Sequence, residues 1–170
     1  KTKTYAEKKA LSHPKTIAYR FATAFGSSPR LRLDLLINEM THLALDQGYI
    51  MVYQPNFMRT FIHIRDLVRA FLFAIENTEI MKGEVFNVGD DSMNFSKREV
   101  CEKIKEKTGC VVQYNDFDSD KDHRDYVVSY EKIRALGFTT SISLDEGIDE
   151  LVNVCRVLNL KNKKFVNIGE

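Results

Sequence analysis

The sequence has 170 residues, 44% hydrophobic and 29% charged, and its 25 Lys and Arg against 24 Asp and Glu give a net charge of +1. These are the proportions of one ordinary globular domain. Such a balance, without a long run of one sign, argues against nucleic acid and a membrane surface as partners, because both require a basic patch. No window approaches the roughly eighteen apolar residues of a transmembrane helix, and Lys1 to Tyr5 lack the pattern of a signal peptide, so the sequence predicts a cytoplasmic protein.

Cysteine and histidine spacing gives no metal or disulfide motif. The three cysteines, Cys101, Cys110 and Cys155, are an odd number and none belongs to a CxxC pair. The four histidines show no HExxH or similar spacing. We therefore predict free thiols and no bound metal.

The first half of the chain alternates between helical and extended patterns. The sequence predicts, in order, a helix ending near Leu11, a strand at 16–21, a helix at 33–47, strands at 49–53 and 60–64, and a helix from Leu67. Asp66 comes directly before this last apolar-periodic run, so we predict that it caps the helix.

The second half continues the alternation. A strand is predicted at 84–89, a helix from a capping box at Ser96 to Gly109, a strand at 111–114, a polar loop at 115–123, an extended segment at 126–128, a short helix at 130–136, and a helix from the capping box at Ser143 to about Leu158. The tail at 161–170 has no clear pattern. This alternation predicts an α/β protein with largely parallel strands.

The phosphate-binding loop of a complete dinucleotide-binding domain is absent from the sequence. Such a loop needs closely spaced glycines so that the backbone can approach the pyrophosphate. The eight glycines include no two within five residues of each other, and no GxSxG elbow is present. The chain opens on Lys in the middle of a helical pattern, so we expect an N-terminal part to be missing.

Four ordered segments carry a family resemblance. They are Arg20-Phe21-Ala22-Thr23-Ala24-Phe25-Gly26, Arg59-Thr60-Phe61-Ile62-His63-Ile64-Arg65-Asp66, Phe86-Asn87-Val88-Gly89 and Arg124-Asp125-Tyr126. Together they resemble the C-terminal half of the extended short-chain dehydrogenase/reductase family, specifically its sugar-nucleotide epimerases and dehydratases. The resemblance implies the C-terminal part of a Rossmann-type parallel sheet plus a small α/β substrate-binding domain.

The resemblance also implies a division of the chain. Residues 1–26 would end the NAD-binding Rossmann domain with the catalytic-lysine helix and the following strand, 27–58 would be a substrate-binding segment, 59–91 would return to the Rossmann sheet, and 92–170 would form the C-terminal substrate-binding domain.

Members of this family use a Tyr-x-x-x-Lys pair, whose spacing places both side chains on one helix face. Tyr5 and Lys9 have that spacing, but Lys9 is only eleven residues before Arg20, whereas relatives have a longer helix after the lysine. Lys3 fits better, because it is followed by Ala6-Glu7 and lies seventeen residues before Arg20. We therefore prefer Lys3 as the catalytic lysine, with the tyrosine two residues upstream of Lys1, and keep Tyr5 and Lys9 as the alternative register. Without the resemblance, all three would be ordinary helix-surface residues.

The remaining site residues also follow from the resemblance. Lys3, Phe21 and Thr23 are expected at the nicotinamide end of the cofactor, and Thr23 stands where many relatives have Asn. The residues expected to bind substrate are Thr23, Arg30, Asn38, Tyr53, Arg59 and Arg124. The two last arginines would hold the substrate pyrophosphate or ribose, since guanidinium groups bind phosphate bidentately. Surface salt bridges and solvated loop residues are the competing interpretations, and His63 is expected to be structural.

The function implied is that of an NAD-dependent epimerase or 4,6-dehydratase that acts on a sugar nucleotide through a 4-keto intermediate. A 4-keto-sugar-nucleotide reductase and a non-catalytic nucleotide-sugar-binding protein without a cofactor half are the alternatives. NADP is the alternative cofactor, because the selecting residue would follow a strand absent from this sequence. We expect a homodimer through the helix that carries Lys3, and expect the 170 residues alone to be inactive.

Overall fold

Helices and strands alternate along the chain much as the sequence predicts. The computed structural model describes residues 2–115 and 124–158. The helices are α1 (Thr2–Leu11), α2 (Leu36–Asp46), α3 (Ile64–Glu76), α4 (Thr78–Met81), α5 (Lys97–Thr108), α6 (Glu131–Arg134) and α7 (Leu144–Val157). The strands are β1 (Ala18–Phe21), β2 (Thr23–Phe25), β3 (Tyr49–Tyr53), β4 (Met58–His63), β5 (Val85–Val88), β6 (Asn94–Ser96) and β7 (Val111–Asn115). Most of the predicted polar loop and the whole predicted tail lie outside the described residues.

Within residues 2–115 and 124–158, the strands form three small sheets, built mainly from parallel pairs. β1 pairs with β5, β2 with β4, and β3 with β7, all in parallel, and β6 adds to β4 in antiparallel orientation. Each parallel pair requires a crossover connection, which the intervening helices provide. The predicted α/β class with largely parallel strands is confirmed.

Two of the three predicted N-cap residues are confirmed. Ser96 and Ser143 each accept a hydrogen bond from the third backbone N–H of their helix in a complete capping box. The prediction that Asp66 caps α3 is wrong. β4 continues directly into α3, so the last strand residue, His63, is the N-cap, and its Nδ1 accepts a hydrogen bond from the backbone N–H of Arg65 at 3.3 Å.

Two hydrophobic clusters lie on either side of β4. The first is formed mainly by α2, α5 and α7 with β3, and includes Phe61. The second includes Ile62, residues of β5 and α3, and Tyr130, Ile133 and Phe138 from beyond residue 92. Consecutive strand side chains point to opposite faces, so neighbouring residues of β4 serve different clusters.

Candidate functional site

A cavity of about 200 Å³ brings together three of the residues expected to bind substrate. Its lining consists of Thr23, Asp34, Leu35, Leu36, Glu39, Arg59, Phe61 and Arg124. Thr23, Arg59 and Arg124 come from three distant parts of the sequence. We call this the arginine cavity.

Strand pairing explains how Thr23 and Arg59 meet. Thr23 lies opposite Phe61 in the parallel β2–β4 register. Arg59 is two residues before Phe61 on β4, so the side chains of Arg59 and Phe61 project from the same face of the strand. The Arg59 side chain is only 3% exposed, its guanidinium donates a hydrogen bond to the Met58 carbonyl at 3.0 Å, and it lies 6.0 Å from the centre of the Tyr126 ring. A buried cation is therefore fixed at the wall of the cavity.

Two acidic side chains in this cavity were not expected from the sequence. Asp34 forms a bidentate salt bridge with Arg32, with N–O distances of 2.8 and 2.5 Å. Glu39 lies in the first turn of α2 and is exposed. Both follow the donor-rich loop and precede or begin a helix, where acidic residues are common, so nothing in the pattern marked them as cavity residues.

A second cleft, of about 240 Å³, holds Arg30 and Asn38. It is also lined by Gly26, Ser28 and Arg32. The Asn38 amide is buried, accepts a hydrogen bond from the backbone N–H of Gly26 at 3.1 Å, and donates one to the carbonyl of Arg32 at 2.9 Å. Asn38 therefore ties together the two ends of the loop that carries Arg30.

Tyr53 is not among the residues that line these two clefts. It ends β3, where its hydroxyl donates to the Met51 sulfur at 3.0 Å and its carbonyl accepts from the Lys97 ammonium at 3.1 Å. The ring is half-buried. A role at a nucleotide base stays a prediction.

A third cleft, of about 620 Å³, separates α1 from β1. Lys3 and Phe21 both line it. Glu7 fastens the helix across this cleft, because its carboxylate accepts two hydrogen bonds from the Arg20 guanidinium at 2.7 Å each, and this guanidinium lowers the pKa of Glu7. Tyr5 and Lys9 are exposed and, by helical periodicity, lie on another face of α1. The geometry therefore groups Lys3, not Tyr5 or Lys9, with Phe21, whereas Thr23, which was also expected at the nicotinamide, lines the arginine cavity instead.

The His63 side chain is fully buried at the end of β4. Its ring meets Phe25 edge to face at 5.3 Å between ring centres. Burial lowers the pKa of His63 in spite of the nearby Glu150 carboxylate. With one nitrogen occupied by the α3 cap, this side chain has the structural role that the sequence predicts.

The described residues contain neither a cluster of potential metal ligands nor a helix that could span a membrane. Across 2–115 and 124–158, no three His, Cys, Asp or Glu side chains are grouped closely enough to hold a metal ion. None of the helices in the same ranges has the length and apolar character needed to cross a membrane.

Comparison with known protein families identifies the family of this chain. Residues 3–89 match the model of the NAD dependent epimerase/dehydratase family. The chain belongs to this family. The match begins at Lys3 and ends at Gly89, so it covers α1, β1 to β5 and all of the predicted site residues except Arg124.

Similar proteins in the epimerase/dehydratase family are substantially longer than this chain. A dTDP-D-glucose 4,6-dehydratase of Mus musculus is 32% identical over 101 residues, covering 55% of this chain and 28% of that protein. The structure of MoeE5 in complex with UDP-glucuronic acid and NAD is 27% identical, with a TM-score of 0.73, and the match covers 91% of this chain and 54% of that one. The dTDP-glucose 4,6-dehydratase of Bacillus anthracis, in complex with NAD, is 23% identical, with a TM-score of 0.75 and coverage of 97% and 52%.

These similarities confirm two predictions. The resemblance to sugar-nucleotide epimerases and dehydratases is correct at the level of the family, and the Rossmann-type α/β class agrees with both solved structures. The chain spans about half the length of those structures.

Proposed function

We propose that this chain provides the substrate-binding part of an NAD-dependent sugar-nucleotide epimerase or 4,6-dehydratase that acts through a 4-keto sugar. The observation that carries the proposal is the convergence of Thr23, Arg59 and Arg124 on one cavity. Two of these side chains are guanidinium groups, which bind phosphate oxygens through paired hydrogen bonds. The relatives' own descriptions, which name UDP and dTDP sugars, support the same class of substrate.

The size of the arginine cavity indicates which part of the substrate it takes. Pockets for a whole drug-sized ligand measure about 300–1,000 Å³, and this one is smaller, at about 200 Å³. A diphosphate matches this size and the two guanidinium groups, and it would bind on their side of the cavity, away from the Asp34 and Glu39 carboxylates. The sugar would then extend toward Thr23, and Arg30 and Asn38 would form the side of the site in the neighbouring cleft.

The cleft beside α1 fits the nicotinamide end of the cofactor. Lys3 supplies an ammonium donor for ribose hydroxyls, and Phe21 supplies an apolar wall, packed at 5.3 Å on Phe71. When bound, the nicotinamide supplies reversible two-electron oxidation of a sugar carbon. The chain's own contribution is to hold the ribose through Lys3 and to orient the sugar beside it through Thr23. NAD is the proposed cofactor, with NADP as the alternative.

The wider proposal includes three properties that stay predictions. They are the cytoplasmic location, the homodimer through α1, and the division at residues 26, 58 and 91. The exposed α1, which has no buried residue, supports an interface there. Light scattering of the purified chain, compared with a Tyr5→Glu variant, would show whether α1 holds two copies together.

Nucleotide binding by arginine variants tests the central proposal. The 170-residue chain is titrated calorimetrically with UDP and with dTDP. Arg59→Met and Arg124→Met should each weaken binding by about tenfold or more, because each removes a charge-assisted hydrogen bond worth about 1.5–3 kcal/mol. Arg134→Met is the matched control, since Arg134 is exposed and pairs with Asp91 at 2.6 Å, outside the cavity lining.

The outcomes separate the candidate functions. Absence of binding by the unaltered chain, or equal affinity in all three variants, would contradict the proposal. Binding that depends on both arginines supports the nucleotide-sugar site, whereas turnover has to be tested on a protein that includes the N-terminal part, because we expect the 170 residues alone to be inactive. Absence of turnover there, with NAD and a sugar nucleotide supplied, would favour a non-catalytic nucleotide-sugar-binding protein.

A further inference from the structure

Glu150, in the middle of α7, connects three separate segments through one carboxylate. Oε1 accepts hydrogen bonds from the backbone N–H of Ser27, at 3.1 Å, and from the Ser27 hydroxyl. Oε2 accepts an ion pair from Arg65 at the start of α3. Nε2 of His63 lies 3.4 Å from Oε1.

Ser27 belongs to the loop that leads from β2 to Arg30 and Arg32. This segment, residues 26–32, is the donor loop. Asn38 holds it from one side, through Gly26 and the Arg32 carbonyl. Glu150 holds it from the other side, so the donor loop is fixed between α2 and α7.

The donor loop has little room to move toward β4. A Cβ at Gly26 would lie 2.6 Å from Cδ2 of the buried His63 ring, and the φ angle of Gly26 is +107°. The loop backbone therefore rests directly on this ring, and glycine is required there. Burial alone would raise the pKa of Glu150, but the hydrogen bonds from Ser27, together with the charges of His63 and Arg65, lower it and keep the carboxylate ionised.

We propose that Glu150 is a positioning residue that fixes the donor loop, and with it Arg30, for binding of a nucleoside diphosphate. The inference rests on the proposed function. It adds that a residue from α7, outside the segment matched by the family model, determines how well Arg30 is placed in the cleft beside the arginine cavity. Preorganised donors bind an anion more tightly because less ordering is required when the ligand arrives.

Calorimetric titration with UDP and dTDP tests this proposal on the 170-residue chain. Glu150→Gln should weaken binding by about tenfold, the size of one charge-assisted hydrogen bond. Asp149→Asn is the matched control, because Asp149 is the preceding residue of α7 and pairs with Lys107 at 2.7 Å instead. It should bind like the unaltered chain. Ser27→Ala, which removes only the hydroxyl contact, should weaken binding in the same direction with little effect on the fold.

A double-mutant cycle distinguishes positioning from general stabilisation. If Glu150 acts through Arg30, then Glu150→Gln should have little further effect in an Arg30→Met background. A merely structural role would lower the folded fraction in both backgrounds alike. Unchanged affinity in Glu150→Gln and Ser27→Ala, or an equal effect of Glu150→Gln in both backgrounds, overturns the inference alone. Failure of the unaltered chain to bind either nucleotide overturns the proposed function, and this inference with it.

Discussion

Asp66 provides the sharpest test of how this fold is held together. Its carboxylate is fully buried in the first turn of α3. It accepts hydrogen bonds from the backbone N–H groups of Ser141, at 3.1 Å, and Ile142, at 3.0 Å, from the Ser141 hydroxyl at 2.9 Å, and from Arg69 at 2.6 Å. One side chain thus joins α3 to the segment before α7, which lies 75 residues later in the sequence.

Asp66→Asn keeps the shape of the side chain but changes its chemistry. The new NH₂ group would point at an N–H or hydroxyl group that donates a hydrogen bond to the Asp66 carboxylate in the unaltered chain. At least one hydrogen bond to a charged group is lost, worth about 1.5–3 kcal/mol, and the opposed donor adds to this, so we expect a loss of about 2–4 kcal/mol. That is a large part of the roughly 5–15 kcal/mol of a typical domain.

The pH dependence gives the same reasoning a second test. Burial alone would raise the pKa of Asp66, but the hydrogen bonds from Arg69, Ile142 and Ser141 outweigh burial and lower it. A lowered carboxyl pKa contributes stability above its unfolded value, near 3.9, and this is lost as the pH falls through the folded value. Asp66→Asn should therefore flatten the acid limb of the stability curve.

Urea unfolding followed by circular dichroism measures both effects. Glu79→Gln is the control, since Glu79 is 83% exposed and pairs with Lys82, and it should stay within about 0.5 kcal/mol of the unaltered chain. A loss below about 1 kcal/mol for Asp66→Asn, or an unaltered acid limb, would refute the reasoning.

Two other predictions concern the packing around His63. Burial lowers its pKa, so stability should fall as the pH drops from about 6.5 toward the lowered value; His63→Asn, which keeps a capping acceptor, should remove that part of the slope in urea unfolding. Gly147→Ala places a Cβ 2.8 Å from Cζ of the buried Phe25 and 3.0 Å from Cδ2 of His63. Thermal unfolding should show a net loss of about 1–2 kcal/mol despite the better helix propensity of alanine, and equal or greater stability would contradict the packing described.

Local signals in the sequence were sufficient for most of the secondary structure. The two capping boxes form hydrogen bonds within three residues, and the glycine after α5 adopts the left-handed conformation, with φ +74°, that ends a helix. These helix ends depend on neighbouring residues alone, so they can be predicted from the sequence. The cap of α3 was missed for a non-local reason. The Asp66 carboxylate is used by Ser141 and Ile142 instead of its own helix.

The candidate site divides in the same way. Thr23, Arg59 and Arg124 lie in motifs that are visible in the sequence, and the structure brings them to one cavity. Glu150 carries no such signal, because its partners Ser27 and Arg65 are 123 and 85 residues away. An acidic residue on an amphipathic helix predicts a solvated face, and only the packing of α7 against the donor loop shows otherwise.

β4 links the stability of this protein to its site. Phe61 belongs to the first hydrophobic cluster and Ile62 to the second, and the buried Thr60 hydroxyl pairs with the Tyr130 hydroxyl. The same strand carries Arg59 at the cavity and ends at His63, beside Glu150. A change of backbone in β4 would therefore disturb both clusters and the cavity together. For this reason loss of binding in a β4 variant identifies a phosphate contact only when the strand is preserved, as Arg59→Met preserves it and a proline or glycine substitution would not.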